Sequence, residues 1–151
     1  MSRLVCLGLM LAVCLVAVSE SESKPQDASN EEHVAEAANE CKTETGATDE
    51  DVELMMKHEP SANQEGKCLR ACMMKKFKII EEDGKPSTEH TMEMMKLMSE
   101  NAEEKEDAIT EIADTCAAID LPEDHCDSAD AYLKCIFEHM EKHGITMRVE
   151  H

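Results

Sequence analysis

The sequence predicts a small all-α, single-domain protein, and three features of its composition lead to that prediction. The chain has 151 residues, which suits one domain with one core. It holds only five glycines and few runs of β-branched residues, so it lacks the pattern of a series of strands and turns. Methionine is abundant, with 12 residues, whereas aromatic residues make up 2% and tryptophan is absent. We therefore expect helices packed around a core of Met, Leu, Ile, Val and Ala.

The N-terminus has the features of a secretory signal peptide. Arg3 precedes an apolar run of 15 residues from Leu4 to Val18, and a small residue, Ser19, follows it. The alternative, a membrane anchor, needs about 20 apolar residues. We expect cleavage after Ser19, with Ser21 and Ser23 as the alternatives, which leaves residues 20–151 as the mature domain. The mature chain is then secreted and extracellular, without stable membrane insertion.

The strong negative charge excludes one class of partner. The net charge is −19, with 34 acidic against 15 basic residues, and loss of Arg3 makes it more negative still. Such a chain is repelled by nucleic acids and by anionic membranes. We interpret the acidity as a source of solubility and expect no nucleic acid partner.

Cap and stop residues predict the first three helices. Ser29 and Glu32 have the spacing of a capping box, and Gly46 follows the first helical stretch. Thr48 is placed to cap the second helix. The predicted helices run from about Asn30 to Glu44, from the Thr48 cap to Pro60, and from about Asn63 to Lys78.

The second half of the chain predicts three more helices after a turn at Asp83-Gly84. In the fifth helix, Ile109, Ile112, Ala113 and Cys116 recur at the spacing of one buried face. The fourth helix is expected to start near Ser87 or Thr88 and the fifth to span about Glu103 to Ile119. The sixth is expected to begin at a Ser128 cap and to stop at Gly144.

Six cysteines remain after the signal peptide, which contains Cys6 and Cys14, is removed. Cys68 and Cys72 lie four residues apart in a predicted helix, where their Cβ atoms would be about 6 Å apart. A disulfide needs about 3.8 Å, so each should bond to a different segment. This excludes one pair and leaves most connectivities of six cysteines open.

Two other roles for these cysteines are weaker. Structural zinc ligands usually come as close pairs on two loops, often with histidine, whereas these residues are scattered over helices. A reactive thiol pair would more typically have the Cys-x-x-Cys spacing, which is absent. Export also favours oxidation, so we expect disulfides and neither a metal nor another cofactor.

The cysteine spacing resembles that of the insect odorant-binding proteins, the pheromone-binding and general odorant-binding group. The intervals from Cys41 to Cys135 are 26, 3, 43, 9 and 8 residues, and those of 3 and 8 residues are the most specific. The stretch GKCLRACMMKK, residues 66–76, is also similar to members of that family. The resemblance covers essentially the whole mature chain. It implies six helices around one closed apolar cavity, and the disulfides Cys41–Cys72, Cys68–Cys126 and Cys116–Cys135.

The resemblance further implies a carrier that binds and solubilises small hydrophobic molecules such as odorants, pheromones or fatty compounds. The carrier would act in an extracellular fluid such as sensillar lymph. Its candidate protein partner is a chemosensory receptor. Its expected oligomeric state is a monomer or a weak dimer. An empty cavity costs about 20 cal/mol per Å² of its surface, which three disulfides of roughly 2–4 kcal/mol each can offset. Small secreted domains need disulfides even when their cores are filled, so a cavity does not follow from the cysteines alone.

Within this hypothesis, the apolar faces of the predicted helices are candidates for ligand contact. Ordinary core packing is the alternative for each of these residues. The candidates are Leu54, Met55, Met73, Phe77, Met94, Met98, Ile112, Ile136, Phe137 and Met140, with Met147 and Val149 of the tail near the entrance.

Two histidines are candidates for a pH switch. His139 and His143 lie one helical turn apart just before the tail, and protonating both would place like charges together. We predict a modest weakening of ligand binding between pH 7 and 5. Solvated surface histidines are the alternative.

An enzyme and a secreted protein with a non-olfactory role are the two alternative functional classes. The sequence contains no Gly-x-Ser-x-Gly, His-Glu-x-x-His or glycine-rich phosphate loop, so we do not expect an enzyme. A non-olfactory carrier or a secreted interaction protein with a reproductive, salivary or haemolymph role on the same scaffold stays open, because a fold does not determine a role.

Overall fold

The computed structural model describes residues 31–148. The predicted signal peptide, the Ser29 cap and the tail residue Val149 lie outside the described residues. Six α-helices fill the described part, and a 3-10 turn, Ala102–Lys105, precedes the fifth. None of these helices is long and apolar enough to cross a membrane. The helices are α1 Glu31–Thr45, α2 Asp49–Met56, α3 Gln64–Lys76, α4 Thr88–Met98, α5 Glu106–Ala117 and α6 His125–Lys142. The predicted all-α, six-helix single domain is confirmed.

Side-chain caps start the second, third and fourth helices where the sequence predicts them. Thr48 and Asp51 form a reciprocal capping box at the start of α2. Asn63 accepts a hydrogen bond from the backbone of Gly66 at the start of α3, and Ser87 accepts one from His90 at the start of α4. Each cap satisfies backbone N–H groups that have no partner within their own helix.

The predicted start of the sixth helix is wrong. Asp124, not Ser128, caps α6, and its Oδ1 accepts hydrogen bonds from the backbone N–H groups of Cys126 and Asp127. Ser128 lies inside the helix and is buried. A carboxylate at a helix N-terminus is also favoured by the helix dipole, which explains why Asp124 is the cap that forms.

Three disulfides join the helices in pairs. They have the pairing that the resemblance implies, and Cys68 and Cys72 bond to different helices. Cys41–Cys72 ties α1 to α3, Cys68–Cys126 ties α3 to α6, and Cys116–Cys135 ties α5 to α6, with Cα–Cα distances of 5.6, 4.5 and 5.8 Å.

The helices pack around two apolar clusters. α3 contacts α1, α2 and α6, and α5 contacts α4 and α6. α4 and α6 have no Cα atoms within 8 Å of each other, but their side chains meet at Thr91 and Tyr132. The larger cluster includes residues of α3, α4, α5 and α6, and the smaller one lies between α1 and α3, with Phe77 packed against both.

The C-terminal tail lies against the end of α4. Ser99 and Met147 form an isolated antiparallel bridge, flanked by hydrogen bonds from Glu100 N to Thr146 O (2.9 Å) and from Arg148 N to Met98 O (2.8 Å). Ile145 is buried in the larger cluster. The described part of the tail is therefore part of the fold.

Candidate ligand-binding site

Besides Phe77, which packs against both clusters, the larger cluster holds six of the residues that the sequence proposes as ligand contacts. Ile112 of α5 and Ile136 of α6 are fully buried, and Met140 is 2% exposed. Met94, Phe137 and Met147 are partly buried and pack against them. The structure therefore brings together residues from α4, α5, α6 and the tail that lie far apart in sequence.

Three more of the proposed residues meet in the smaller cluster. Met73 is buried there, and Met55 and Phe77 pack against it. Leu54 and Met98 are partly exposed and belong to neither cluster. Contact of any of these residues with a ligand stays a prediction.

A buried pair of hydroxyl groups lies in the larger cluster, and sequence reasoning missed it. Thr91 of α4 and Tyr132 of α6 are both 0% exposed, and their hydroxyl oxygens are 2.8 Å apart. Burial raises the pKa of Tyr132, so its hydroxyl stays protonated at neutral pH. The sequence signal was the place of Tyr132 one turn before Ile136, on the same face of α6.

A histidine that sequence reasoning also missed contacts one of the proposed ligand residues. His58 follows α2 with a positive φ of 57°, and its ring lies edge-on to Phe137 with centroids 5.5 Å apart. Partial burial and the nearby positive charge of Arg70 lower the pKa of His58. Arg70 is itself buried and donates a hydrogen bond to the backbone carbonyl of Glu59.

The two predicted switch histidines lie close together. The rings of His139 and His143 are nearly parallel, with centroids 6.4 Å apart, at the end of α6. His139 also lies near the sulfur atoms of Cys116 and Cys135. These sulfurs are bonded to each other, so they are not thiolates that could hold a metal. The effect of the histidines on binding stays a prediction.

Two surface clefts lie beside α3, at the edge of the larger cluster, whose residue Ala71 lines both of them. The larger, about 430 Å³, is bordered by the segment from Ile80 to Pro86 and by the loop from Ala117 to Glu123. The smaller, about 280 Å³, lies beside Cys68 and Cys72. Neither cleft is lined by any of the predicted ligand residues, so the candidate site is the buried interior of the bundle.

The architecture defines the protein as a disulfide-stapled helical bundle with a methionine- and isoleucine-rich interior. The model of the PBP/GOBP family matches residues 23–139. The chain is 50% identical over 147 residues to general odorant-binding protein 19d of Drosophila melanogaster, covering 97% of this chain and 98% of the relative. It is 39% identical over 142 residues to general odorant-binding protein 28a of the same organism, covering 94% of each.

Solved structures agree with the sequence comparison. Odorant-binding protein dmelOBP28a from Drosophila melanogaster has a TM-score of 0.69 at 44% identity, covering 74% of this chain and 93% of that chain. A fatty acid binding protein, OBP56a, from the oral disk of the blowfly Phormia regina has a TM-score of 0.60 at 19% identity, covering 74% and 91%, and shows the fold alone. The chain belongs to the PBP/GOBP family of odorant-binding proteins.

Proposed function

We propose that this protein is a secreted carrier that binds and solubilises small hydrophobic molecules for transport to chemosensory receptors. The structural observation that carries the proposal is the methionine- and isoleucine-rich apolar cluster to which α3, α4, α5 and α6 all contribute. Family membership supports the same role, as does the name of the relative that is 50% identical. A signal peptide at residues 1–19 would supply secretion, into sensillar lymph or a comparable fluid.

Burial of the ligand supplies the binding free energy. An apolar molecule that loses roughly 300 Å² of exposed surface gains about 7 kcal/mol. This corresponds to about micromolar affinity before the entropic costs of association. Methionine is flexible and polarizable, so an interior lined by Met94 and Met140 should accept ligands of several shapes.

The first experiment is displacement of the apolar fluorophore N-phenyl-1-naphthylamine from oxidised residues 20–151 at pH 7. We expect saturable micromolar binding, reversed by long-chain alcohols, esters or fatty acids. Since the chain has no tryptophan, the added probe reports binding without interference. A folded protein that binds no probe would contradict the carrier function and would indicate a filled core. Expression in antennae would support olfaction, whereas expression in glands or haemolymph would indicate general carriage.

The proposed contacts can be tested in the same assay. Ile136→Ala and Met140→Ala should lower the affinity for the competing ligand, so that more of it is needed to displace the fluorophore. Both side chains lie in the larger cluster. Met56→Ala is the matched control, since Met56 is 54% exposed and belongs to neither cluster. Unchanged affinity in both interior variants would place the ligand elsewhere.

A further inference from the structure

Two of the three disulfides reach the surface in the same cleft. Their partly exposed members, Cys68 and Cys72, both line the cleft of about 280 Å³ beside α3. The residues bonded to them, Cys126 and Cys41, are buried at 1% and 0% exposure. A thiol that enters this cleft therefore reaches one sulfur of each bond, and attack there expels the buried sulfur as the leaving thiolate.

The surroundings of the buried sulfur distinguish the Cys68–Cys126 bond from the other two disulfides. Cys41 belongs to the smaller apolar cluster and Cys116 to the larger one, where a departing thiolate would be poorly solvated. Cys126 belongs to neither cluster, and Nε2 of His125 lies 3.3 Å from its sulfur. A protonated imidazole donates from both ring nitrogens, so at this place it can give a proton to the departing sulfur. Stabilising the leaving sulfur in this way speeds thiol–disulfide exchange.

The charges around the cleft also direct a small anion toward Cys68. Lys75 and Lys76 line the cleft, and Lys75 makes no ion pair with any other residue of the described chain. The carboxylate of Glu44 lies 3.4 Å from the sulfur of Cys72 and would repel a thiolate that attacks there. Because the whole chain carries a net charge of −19, two lysines beside a disulfide are a locally favourable place for an anion.

We propose that this cleft is a site of thiol–disulfide exchange, at which a small anionic thiol attacks Cys68 and forms a reversible mixed disulfide. The attacking thiolate forms a bond to Sγ of Cys68 while the Cys68–Cys126 bond breaks, and the electron pair of that bond goes to Sγ of Cys126. His125, protonated at Nε2, gives its proton to the departing sulfur. The products are a mixed disulfide on Cys68, a thiol on Cys126 and a neutral imidazole. Attack by Cys126 on the mixed disulfide reverses the modification.

The exchange would open the covalent link between α3 and α6. α3 stays bonded to α1 through Cys41–Cys72, and α6 stays bonded to α5 through Cys116–Cys135. Packing alone then holds α3 against α6 at the larger cluster, to which both helices contribute. The apolar interior would therefore loosen in a thiol-rich fluid and tighten again when the thiol is removed. This inference does not depend on the proposed carrier function.

The test identifies which disulfide reacts first in the folded protein. Oxidised residues 20–151 are incubated with reduced glutathione at pH 7 without denaturant, trapped with N-ethylmaleimide, digested and analysed by mass spectrometry. We expect glutathione on Cys68 and maleimide on Cys126, at an initial rate about tenfold above that of either other bond. Glutathione on Cys126, earlier opening of another disulfide, simultaneous opening of all three, or no reaction at all would contradict the proposal.

His125→Ala tests the proton donor, and His139→Ala is its matched control. His139 also lies beside a disulfide, that of Cys116 and Cys135. His125 is exposed, so its replacement should not impair folding. We expect His125→Ala to slow the attack of glutathione on Cys68 about fivefold to tenfold and His139→Ala to leave that rate unchanged. Equal rates in wild type and both variants would overturn the reason for which this bond should react first.

A second comparison tests the cleft as the place where the thiol binds. Lys75→Gln should slow the reaction with glutathione, which carries carboxylates, more than the reaction with the cationic thiol cysteamine. Lys78→Gln is the control, since Lys78 is exposed and lines neither cleft. The same effect of both substitutions would mean that only the net charge of the protein matters, and the cleft would not be the binding site.

Discussion

At the scale of single residues, the carboxylate of Asp51 determines how closely α2 approaches α3. Asp51 is 3% exposed, and its Oδ2 accepts hydrogen bonds of 2.8 Å from both the backbone N and the hydroxyl of Thr48. The backbone hydrogen bond from Thr48 is the main cause that lowers the pKa of Asp51. A Cβ atom on Gly66, in the first turn of α3, would lie 2.9 Å from Oδ1 of this carboxylate. The glycine is thus required by close packing and not by an unusual backbone angle.

Gly66→Ala should therefore destabilise the protein, although alanine normally favours a helix over glycine by about 0.5–1 kcal/mol. We expect a loss of about 1–3 kcal/mol, because the added methyl group displaces a buried carboxylate. The measurement is urea unfolding of the oxidised protein. In an Asp51→Ala background the same substitution should cost less or become stabilising. A stabilised Gly66→Ala in the wild-type background would contradict this account.

His58 should give the α2–α3 connection a pH-dependent stability. Its folded pKa is lowered, so the fold disfavours the protonated ring. The unfolded chain then binds more protons between the two pKa values, so stability decreases as the pH is lowered through that window. The His58 contribution is complete above the ordinary histidine value of about 6.5 and is lost as pH falls through the lowered folded pKa.

The check is the urea midpoint from pH 8 to pH 5. His58→Gln should reduce the loss on acidification. Phe137→Ala should do so as well, since it removes the aromatic ring against which the histidine ring lies. An unchanged pH profile in His58→Gln would show that this histidine does not contribute.

At the scale of helices, the start of α6 gives a direct comparison between two candidate caps. Asp124→Ala should cost about 1 kcal/mol, because it leaves the N–H groups of Cys126 and Asp127 without their side-chain acceptor. Ser128→Ala should cost less, since no side-chain hydrogen bond of Ser128 is seen in the described chain. Thermal unfolding of both variants decides the matter, and a larger loss at Ser128 would reverse the assignment of the cap.

This comparison shows what local sequence could and could not predict. The caps at Thr48, Asn63 and Ser87 were predictable because each is a preferred cap residue directly before a helical stretch. Asp124 and Ser128 are both suitable cap residues within one turn of each other. The helix dipole favours the carboxylate of Asp124, and tertiary packing adds to this preference, since Cys126 is bonded to Cys68 of α3.

The candidate site, like the helix caps, was predictable from the sequence only in part. Apolar periodicity found Ile112, Ile136 and Met140, which are buried because their helices are amphipathic. Periodicity could not pair Thr91 with Tyr132, which are 41 residues apart and meet through side chains alone. It also could not indicate His58, whose position depends on a left-handed backbone turn.

At the scale of the whole molecule, the disulfides hold together a chain that carries a net charge of −19. Self-repulsion of that charge destabilises the compact state, and crosslinks oppose it by restricting the unfolded chain. The three disulfides close segments of very different length: 58 residues for Cys68–Cys126, 31 for Cys41–Cys72 and 19 for Cys116–Cys135. The disulfide that closes the longest segment should therefore stabilise the protein most, and the one that closes the shortest segment should stabilise it least.

Removal of Cys68–Cys126 as an alanine pair should cost about 4 kcal/mol in the chain-entropy account, against about 3 kcal/mol for Cys116–Cys135. The two variants are matched, since each bond joins a buried cysteine to a partly buried one and each anchors α6. The losses of packing should therefore largely cancel, and the difference of about 1 kcal/mol reports the length of the closed segment. Urea unfolding of both oxidised variants gives the two free energies. An equal or reversed order would mean that local packing around Cys116, and not restriction of the unfolded chain, governs how the disulfides stabilise this bundle.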